Sequence, residues 1–215
     1  MRAKKVIIIN YGIGNTKSMC NALKNIGFKP VLTNDKRTIL NADALILPGV
    51  GAFSKGMENL HAAAVIDTIK DYVKKGNPFL GVCLGMQMLF DESEEFGFTK
   101  GLGLIKGKVI KFPLSYATEE NLPHVSWNEI QEPFPGRWQN TLLQDTKPNT
   151  DVYFVHSFVA APSDQDDILS TTNYGGVDFC SAVQHENIYG TQFHPEKSSK
   201  KGLNILKNFI NLSKL

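Results

Sequence analysis

Three cysteines (Cys20, Cys83 and Cys180) and five histidines (His61, His124, His156, His185 and His194) are the side chains of this 215-residue sequence best suited to nucleophilic or proton-transfer chemistry. Their settings differ. Cys83 lies in Gly81-Val82-Cys83-Leu84-Gly85, directly after the apolar run Phe79-Leu80 and directly before a helical pattern. A strand, a sharp turn and a helix, with small residues two positions either side of the nucleophile, make a nucleophile elbow. The turn sets residue 83 at a helix N-terminus, where free N–H groups and the helix dipole favour an anion. A thiolate is the attacking form of cysteine. Cys20, on a helical pattern, and Cys180, in a strand pattern, read as small packing residues.

A nucleophilic cysteine needs a base, and the base an orienting acid. His194 ends the apolar run Tyr189 to Phe193 and is followed by Pro195-Glu196. Residues two apart at a strand end face the same side, so His194 and Glu196 are expected to meet, with Pro195 stiffening the step between them. His61 falls at the margin of a helix, as a surface residue, and His185 in a turn. The cysteine spacing suits neither a zinc motif nor a disulfide framework, so no metal is expected and the thiols read as reduced, in a cytosolic protein. Two glycine-rich stretches lack the residues phosphate binding needs. Gly12-Ile13-Gly14-Asn15 has Lys17 where a dinucleotide turn requires its third glycine. Gly51 to Gly56 is followed by Met57-Glu58 where a P-loop requires Lys-Ser/Thr.

The elements that must carry these residues follow from hydrophobic patterning. Val6-Ile7-Ile8-Ile9 is a β-branched run of the kind buried on both faces of a parallel sheet. A helix over Thr16 to Ile26, weak strand over Pro30 to Thr33, strand over Ala42 to Leu47, helix over Gly56 to Lys75, strand over Phe79 to Val82 and helix over Leu84 to Phe90 then alternate. That rhythm implies an α/β fold, with a mostly parallel central sheet and helices on both faces. In the second half, Leu104 to Phe112, Val152 to Ala160, Ile168 to Thr172, Phe179 to Gln184 and Ile188 to Phe193 read as strands joined by turns, closed by a helix over Ser199 to Leu212. Residues 115–150, rich in Pro, Asn and Gln, read as long loops carrying short strands. The length suits a single domain over residues 1–215. With 23 Lys+Arg against 21 Asp+Glu, the net charge of +2 carries no basic excess for nucleic acid. The apolar run near the start is too short for a signal peptide or a membrane span.

Gly81-Val82-Cys83-Leu84-Gly85-Met86-Gln87 together with His194-Pro195-Glu196 resembles the class I glutamine amidotransferases, of Cys-His-Glu type. Asn10 to Asn15, Leu47 to Phe53, Tyr153 to Phe158 and Gln192 to Ser198 resemble one branch of that family, the glutaminase subunits of imidazole glycerol phosphate synthases, over nearly the whole chain. The resemblance implies a flavodoxin-like sheet with added antiparallel strands, and a separate cyclase partner of TIM-barrel fold in a heterodimer. It implies glutamine as substrate, with Cys83 as nucleophile, His194 as proton carrier and Glu196 as its orienter. Leu84 N–H and a donor from Val50 or Gly51 would form the oxyanion hole. Gln87, Ser157 and Phe158 would bind glutamine, and no cofactor or metal is required. Tyr11, Asn15, Trp127, Tyr153 and Lys197 would face the partner. Pro123-His124-Val125-Ser126-Trp127-Asn128 departs from the branch pattern, which has glycine in place of Ser126. Two further enzyme readings stay open, a paralogous subunit feeding a surface-sugar aminase and a stand-alone cysteine hydrolase such as a peptidase. A non-catalytic scaffold of the same fold is the reading from another class.

Overall fold

The computed structural model describes residues 3–114 and 120–213. Residues 115–119, the start of the expected long loop, lie outside the described residues. The first half alternates as its patterning requires: β1 (Val6–Ile9), α1 (Thr16–Asn25), β2 (Val31–Thr33), α2 (Lys36–Leu40), β3 (Ala44–Gly49), α3 (Phe53–Ala62), α4 (Ile66–Lys74), β4 (Phe79–Cys83) and α5 (Leu84–Gln87). Then come β5 (Phe90–Ser93), β6 (Thr99–Lys100), β7 (Ile105–Lys111), β8 (His124–Ile130), β9 (Thr150–His156), β10 (Phe158–Pro162), β11 (Ile168–Tyr174), β12 (Val177–His185), β13 (Ile188–Thr191) and α6 (Ser199–Asn211).

The central sheet has seven strands in the order β11-β12-β13-β4-β3-β1-β2. β2, β1, β3, β4 and β13 pair in parallel, while β12 and β11 add on antiparallel at one edge. The continuous apolar runs have a direct use here. Val6 and Ile8 of β1, Ala44 and Ile46 of β3 and Leu80 and Val82 of β4 enter one buried cluster. Ile7 and Ile9, Leu45 and Leu47, and Phe79 enter the cluster on the other face. Side chains alternate across a strand, so a strand covered on both sides has no polar face to show. A four-stranded sheet, β10-β7-β5-β6, and a two-stranded ribbon, β8-β9, flank this core.

Several elements differ from expectation. The helix expected over 56–75 is two helices, broken at Ala64, which adopts φ 52° while Val65 N–H bonds back to Leu60 O. That is a helix-ending hydrogen-bond pattern made without the glycine that usually marks one. The helix expected over 84–90 stops at Gln87, and Phe90 already belongs to a strand. The strand expected over 152–160 is cut at Ser157 into β9 and β10, which join different sheets. A seven-residue strand, β8, stands in the segment read as loops with short strands, paired to β9 from His124–His156 to Ile130–Thr150.

Candidate active site

The elbow is built by close approach. A Cβ on Gly81 would meet Gly85 C and Met86 N at 2.6 and 2.7 Å, and one on Gly85 would collide with the Leu47 carbonyl oxygen of the neighbouring strand. Both glycines are therefore required by lack of space. Cys83 itself is held at φ 54° and ψ −112°, a sparsely populated conformation that costs of order 1–3 kcal/mol and is kept because the packing around it over-determines it. Gly49, at the end of β3, closes the same corner: a Cβ there would lie 2.7 Å from Gly85 N and 2.8 Å from Leu84 Cβ. The Gly49-Val50-Gly51 turn is thereby pressed against the residue that follows the nucleophile.

The Cys83 thiol lies 3.8 Å from the Val155 carbonyl, and Gln192 Nε2 donates to the sulfur at 3.7 Å. The chain returns to this point through β13, which pairs with β4 and delivers His194 just beyond its end. His194 and Glu196 do meet, though across a 3₁₀ turn over Pro195–Lys197 rather than by strand alternation. His194 Nδ1 donates to Glu196 Oε1 at 2.8 Å, with both side chains 1% exposed. Asn15 Nδ2 donates to the same Oε1 at 3.2 Å. His194 N–H bonds to Tyr153 O, and Ser198 Oγ donates to His194 O while accepting from Tyr153 N–H, so the turn is sewn to β9. Burial by itself lowers the His194 pKa, but the neighbouring Cys83 and the hydrogen-bonded Glu196 overrule it and raise the ring to about 10. His194 Nε2 is buried without a hydrogen-bond partner among the described residues. The arrangement is an imidazole fixed at one nitrogen, with its charged form favoured and its second nitrogen unoccupied, beside a thiol on a strained turn.

A cleft of about 300 Å³ opens over the thiol, lined by Val50, Gly51, Cys83, Leu84, Gln87, Ser157 and Phe158. All the residues expected for oxyanion and substrate contacts border it. Gln87 is buried, with Nε2 donating to Phe158 O and to Gln192 Oε1, each at 3.0 Å.

The class-I glutamine amidotransferase family model matches residues 7–212. The chain belongs to that family. Among curated relatives, the amidotransferase is 42% identical over 209 residues to the imidazole glycerol phosphate synthase subunit HisH of Aquifex aeolicus, covering 95% of both chains. It is 43% identical over 209 residues to the subunit of the same name from Syntrophotalea carbinolica, covering 95% of this chain and 98% of that one. Its fold is shared with the solved PurLQS of Thermotoga maritima, at a TM-score of 0.73 and 19% identity over 99% of this chain and 100% of that one.

The residues of the amidotransferase expected at a partner surface divide. Trp127 is 50% exposed and meets Tyr153 edge-on at 6.1 Å. Lys197 is exposed, with Nζ 5.5 Å above the Tyr153 ring, and that ring lies 6.5 Å from His194. Asn15 is half-buried and bonded to the triad carboxylate. Tyr11 needs correction as a surface residue. It is buried, its hydroxyl donating to Pro48 O at 2.7 Å, and burial together with the charge of Cys83 raises its pKa. The first loop is folded under β3, where Gly14 at φ 113° lets the backbone turn against Pro48.

Two neighbours of the site had no assigned role from sequence. Gln192 carries the link from Gln87 to the sulfur, and its position in the run before His194 was the available signal. Glu95 lines the cleft and accepts from Phe53 N–H at 2.6 Å. It comes from the turn between β5 and β6 of the four-stranded sheet, after a run of acids that looks solvated in sequence, so spacing could not have found it. No helix among the described residues is long and apolar enough to cross a membrane.

Proposed function

We propose that the chain hydrolyses glutamine to glutamate and ammonia and passes the ammonia to the cyclase subunit of an imidazole glycerol phosphate synthase, in histidine biosynthesis. The carrying observation is Cys83 on a strained turn lining the cleft, with the buried His194–Glu196 pair delivered beside it by the neighbouring strand, in a chain 42% identical to synthase subunits over nearly full length. The Cys83 thiol passes its proton to His194 Nε2 as the sulfur attacks the side-chain amide carbon, and the C=O π pair moves to oxygen. Leu84 N–H and a backbone N–H of the Val50-Gly51 turn take the oxyanion; losing one such donor costs about 10²–10³ in rate. The tetrahedral carbon re-forms its carbonyl and expels nitrogen, which leaves as ammonia with the proton from His194 Nε2. A water then gives a proton to His194 and attacks the thioester through the same hole, and the C–S bond breaks, the sulfur taking that proton back from His194 to leave glutamate and the thiol. Glu95, the acid lining the cleft, suits the ammonium of the amino-acid head, and Gln87, Ser157 and Phe158 supply its polar contacts.

The partner is a separate TIM-barrel cyclase in a heterodimer, the chain acts as one amidotransferase domain, and its place is the cytoplasm. The synthase name shared by the relatives favours this reading over a surface-sugar aminase or a stand-alone hydrolase. Glutamate release by the chain with its cyclase tests it. Cys83→Ala is expected to abolish glutamine use, while the complex still forms product from added ammonium salt. Undiminished glutamine use by Cys83→Ala would overturn the mechanism.

A further inference from the structure

In the cleft wall and just behind it, two buried histidines from β8 and β9 face each other, His156 lining the cleft and His124 lying beneath it. His124 Nδ1 and His156 Nε2 are 3.1 Å apart, His124 Nε2 is 2.9 Å from Ser126 Oγ, and His156 Nδ1 is 3.1 Å from Phe158 O. The protons on this chain can be assigned. A carbonyl only accepts, so His156 Nδ1 carries the hydrogen. In a neutral ring Nε2 is then an acceptor, which makes His124 Nδ1 a donor and His124 Nε2 an acceptor. Ser126 must therefore donate. Neutrality follows from the surroundings. His124 is 0% exposed, stacked between Tyr174 at 3.9 Å and Phe154 at 5.0 Å, and His156 packs against Phe112 and Phe179. Burial lowers His124 to about 4 against a modest upward pull from Glu120, and burial with the His124 charge lowers His156 to about 3.

The chain of donors ends on a carbonyl that matters. Phe158 O also accepts from Gln87 Nε2, and the second Gln87 bond leads through Gln192 to the Cys83 sulfur. We infer that Ser126, His124 and His156 form a directed hydrogen-bond relay that positions the Phe158 carbonyl, and through it Gln87, so that the side chain at position 126 sets how tightly the cleft takes glutamine. The three are positioning residues, and the inference rests on the glutamine reading above. A missing hydroxyl leaves His124 Nε2 a buried acceptor without a donor. The ring is then held only through Nδ1, so it can shift, and its bond to His156 loosens along with the hold of His156 Nδ1–H on the carbonyl. Because the relay touches the wall and not the reacting atoms, its loss belongs in KM more than in kcat.

The test combines imidazole ¹⁵N shifts of the full chain at neutral pH with steady-state glutamine hydrolysis by wild type, Ser126→Ala and Ser126→Thr. Both rings are expected as Nδ1–H tautomers in wild type. Ser126→Ala should shift the His124 resonances and raise KM for glutamine about three- to tenfold, the size of one lost hydrogen bond, with kcat held within about twofold. Ser126→Thr, which keeps the hydroxyl, should restore both readings. An Nε2–H tautomer at either ring, or a Ser126→Ala protein with unchanged KM, overturns the relay. If wild type hydrolyses no glutamine even with the cyclase, the amidotransferase reading fails instead, and the ¹⁵N shifts alone decide the hydrogen-bond chain.

Discussion

At the scale of single residues, His194 stands between opposed influences. Burial disfavours its charge, and two neighbours reinstate it. Glu196 is one of them, and it receives a second donor from Asn15, so the carboxylate is held from two sides. In the mechanism proposed above its role is indirect: it positions the ring through the Nδ1 bond and bonds to no substrate atom. Glu196→Gln removes the negative charge that raises the imidazole, so the ring must lose its proton at lower pH. The alkaline limb of kcat/KM is therefore expected to move to lower pH, with a rate loss of up to about 10⁴-fold, smaller than that of Cys83→Ala. A pH–rate profile of the variant that superimposes on wild type would remove Glu196 as the orienter. The Cys83 turn and the His194–Glu196 contact were legible because their residues lie in short contiguous motifs. Glu95, the histidine pair and the burial of Tyr11 were not, because each depends on segments that meet only after folding. His124 finds His156 through an antiparallel register set by the whole length of β8, and nothing local to either residue signals it.

At the scale of elements, the corner where β4 gives way to α5 is the most constrained part of the fold. Gly85 packs on the β3 carbonyl at Leu47, and Gly49 packs back on Gly85 and Leu84. Gly85→Ala can be accommodated only by separating β3 from the elbow, which are adjacent central strands. We expect it to destabilise the chain by about 2–4 kcal/mol, read as a lowered urea midpoint, and to abolish glutamine hydrolysis even in the fraction that folds. Wild-type stability and rate in this variant would show that the corner tolerates a side chain. The parallel strands were readable from sequence because burial on both faces leaves an unbroken apolar run. The break at Ala64 and the early end of α5 were not, because both are imposed from outside the helix. Ala64 takes a left-handed conformation that alanine does not advertise, and α5 ends where Phe90 is drawn into the second sheet.

At the scale of the molecule, the carboxyl ends of the parallel strands gather the elbow, the histidine turn and an exposed strip of the β8-β9 ribbon. Val125 and Trp127 are 52% and 50% exposed on that ribbon. Tyr153 connects the strip inward, with Trp127 against one side, Lys197 above it and His194 beyond. A partner seated there would be within two side chains of the catalytic base. Trp127→Ala is expected to weaken binding to the cyclase by about 2 kcal/mol, near thirtyfold in Kd, while Lys197→Ala should reduce the acceleration of glutamine hydrolysis that docking brings. Titration calorimetry and glutamate release, each with and without the cyclase, separate the two effects. Identical rates for the free chain and the complex would remove the coupling.

The pairing of β13 with β4 also sets a clock on synthesis. Cys83 is made well before its surroundings: the strand that flanks it, the Gln192 amide that touches its sulfur, and the His194–Glu196 pair all come from residues 188–196. Until those residues have left the ribosome, the elbow has an open edge on one side and no histidine beside it. Long-range parallel pairing is also slow to form. A growing chain therefore carries Cys83 on its turn for about a hundred further residues of synthesis before the strand that flanks it can slot in.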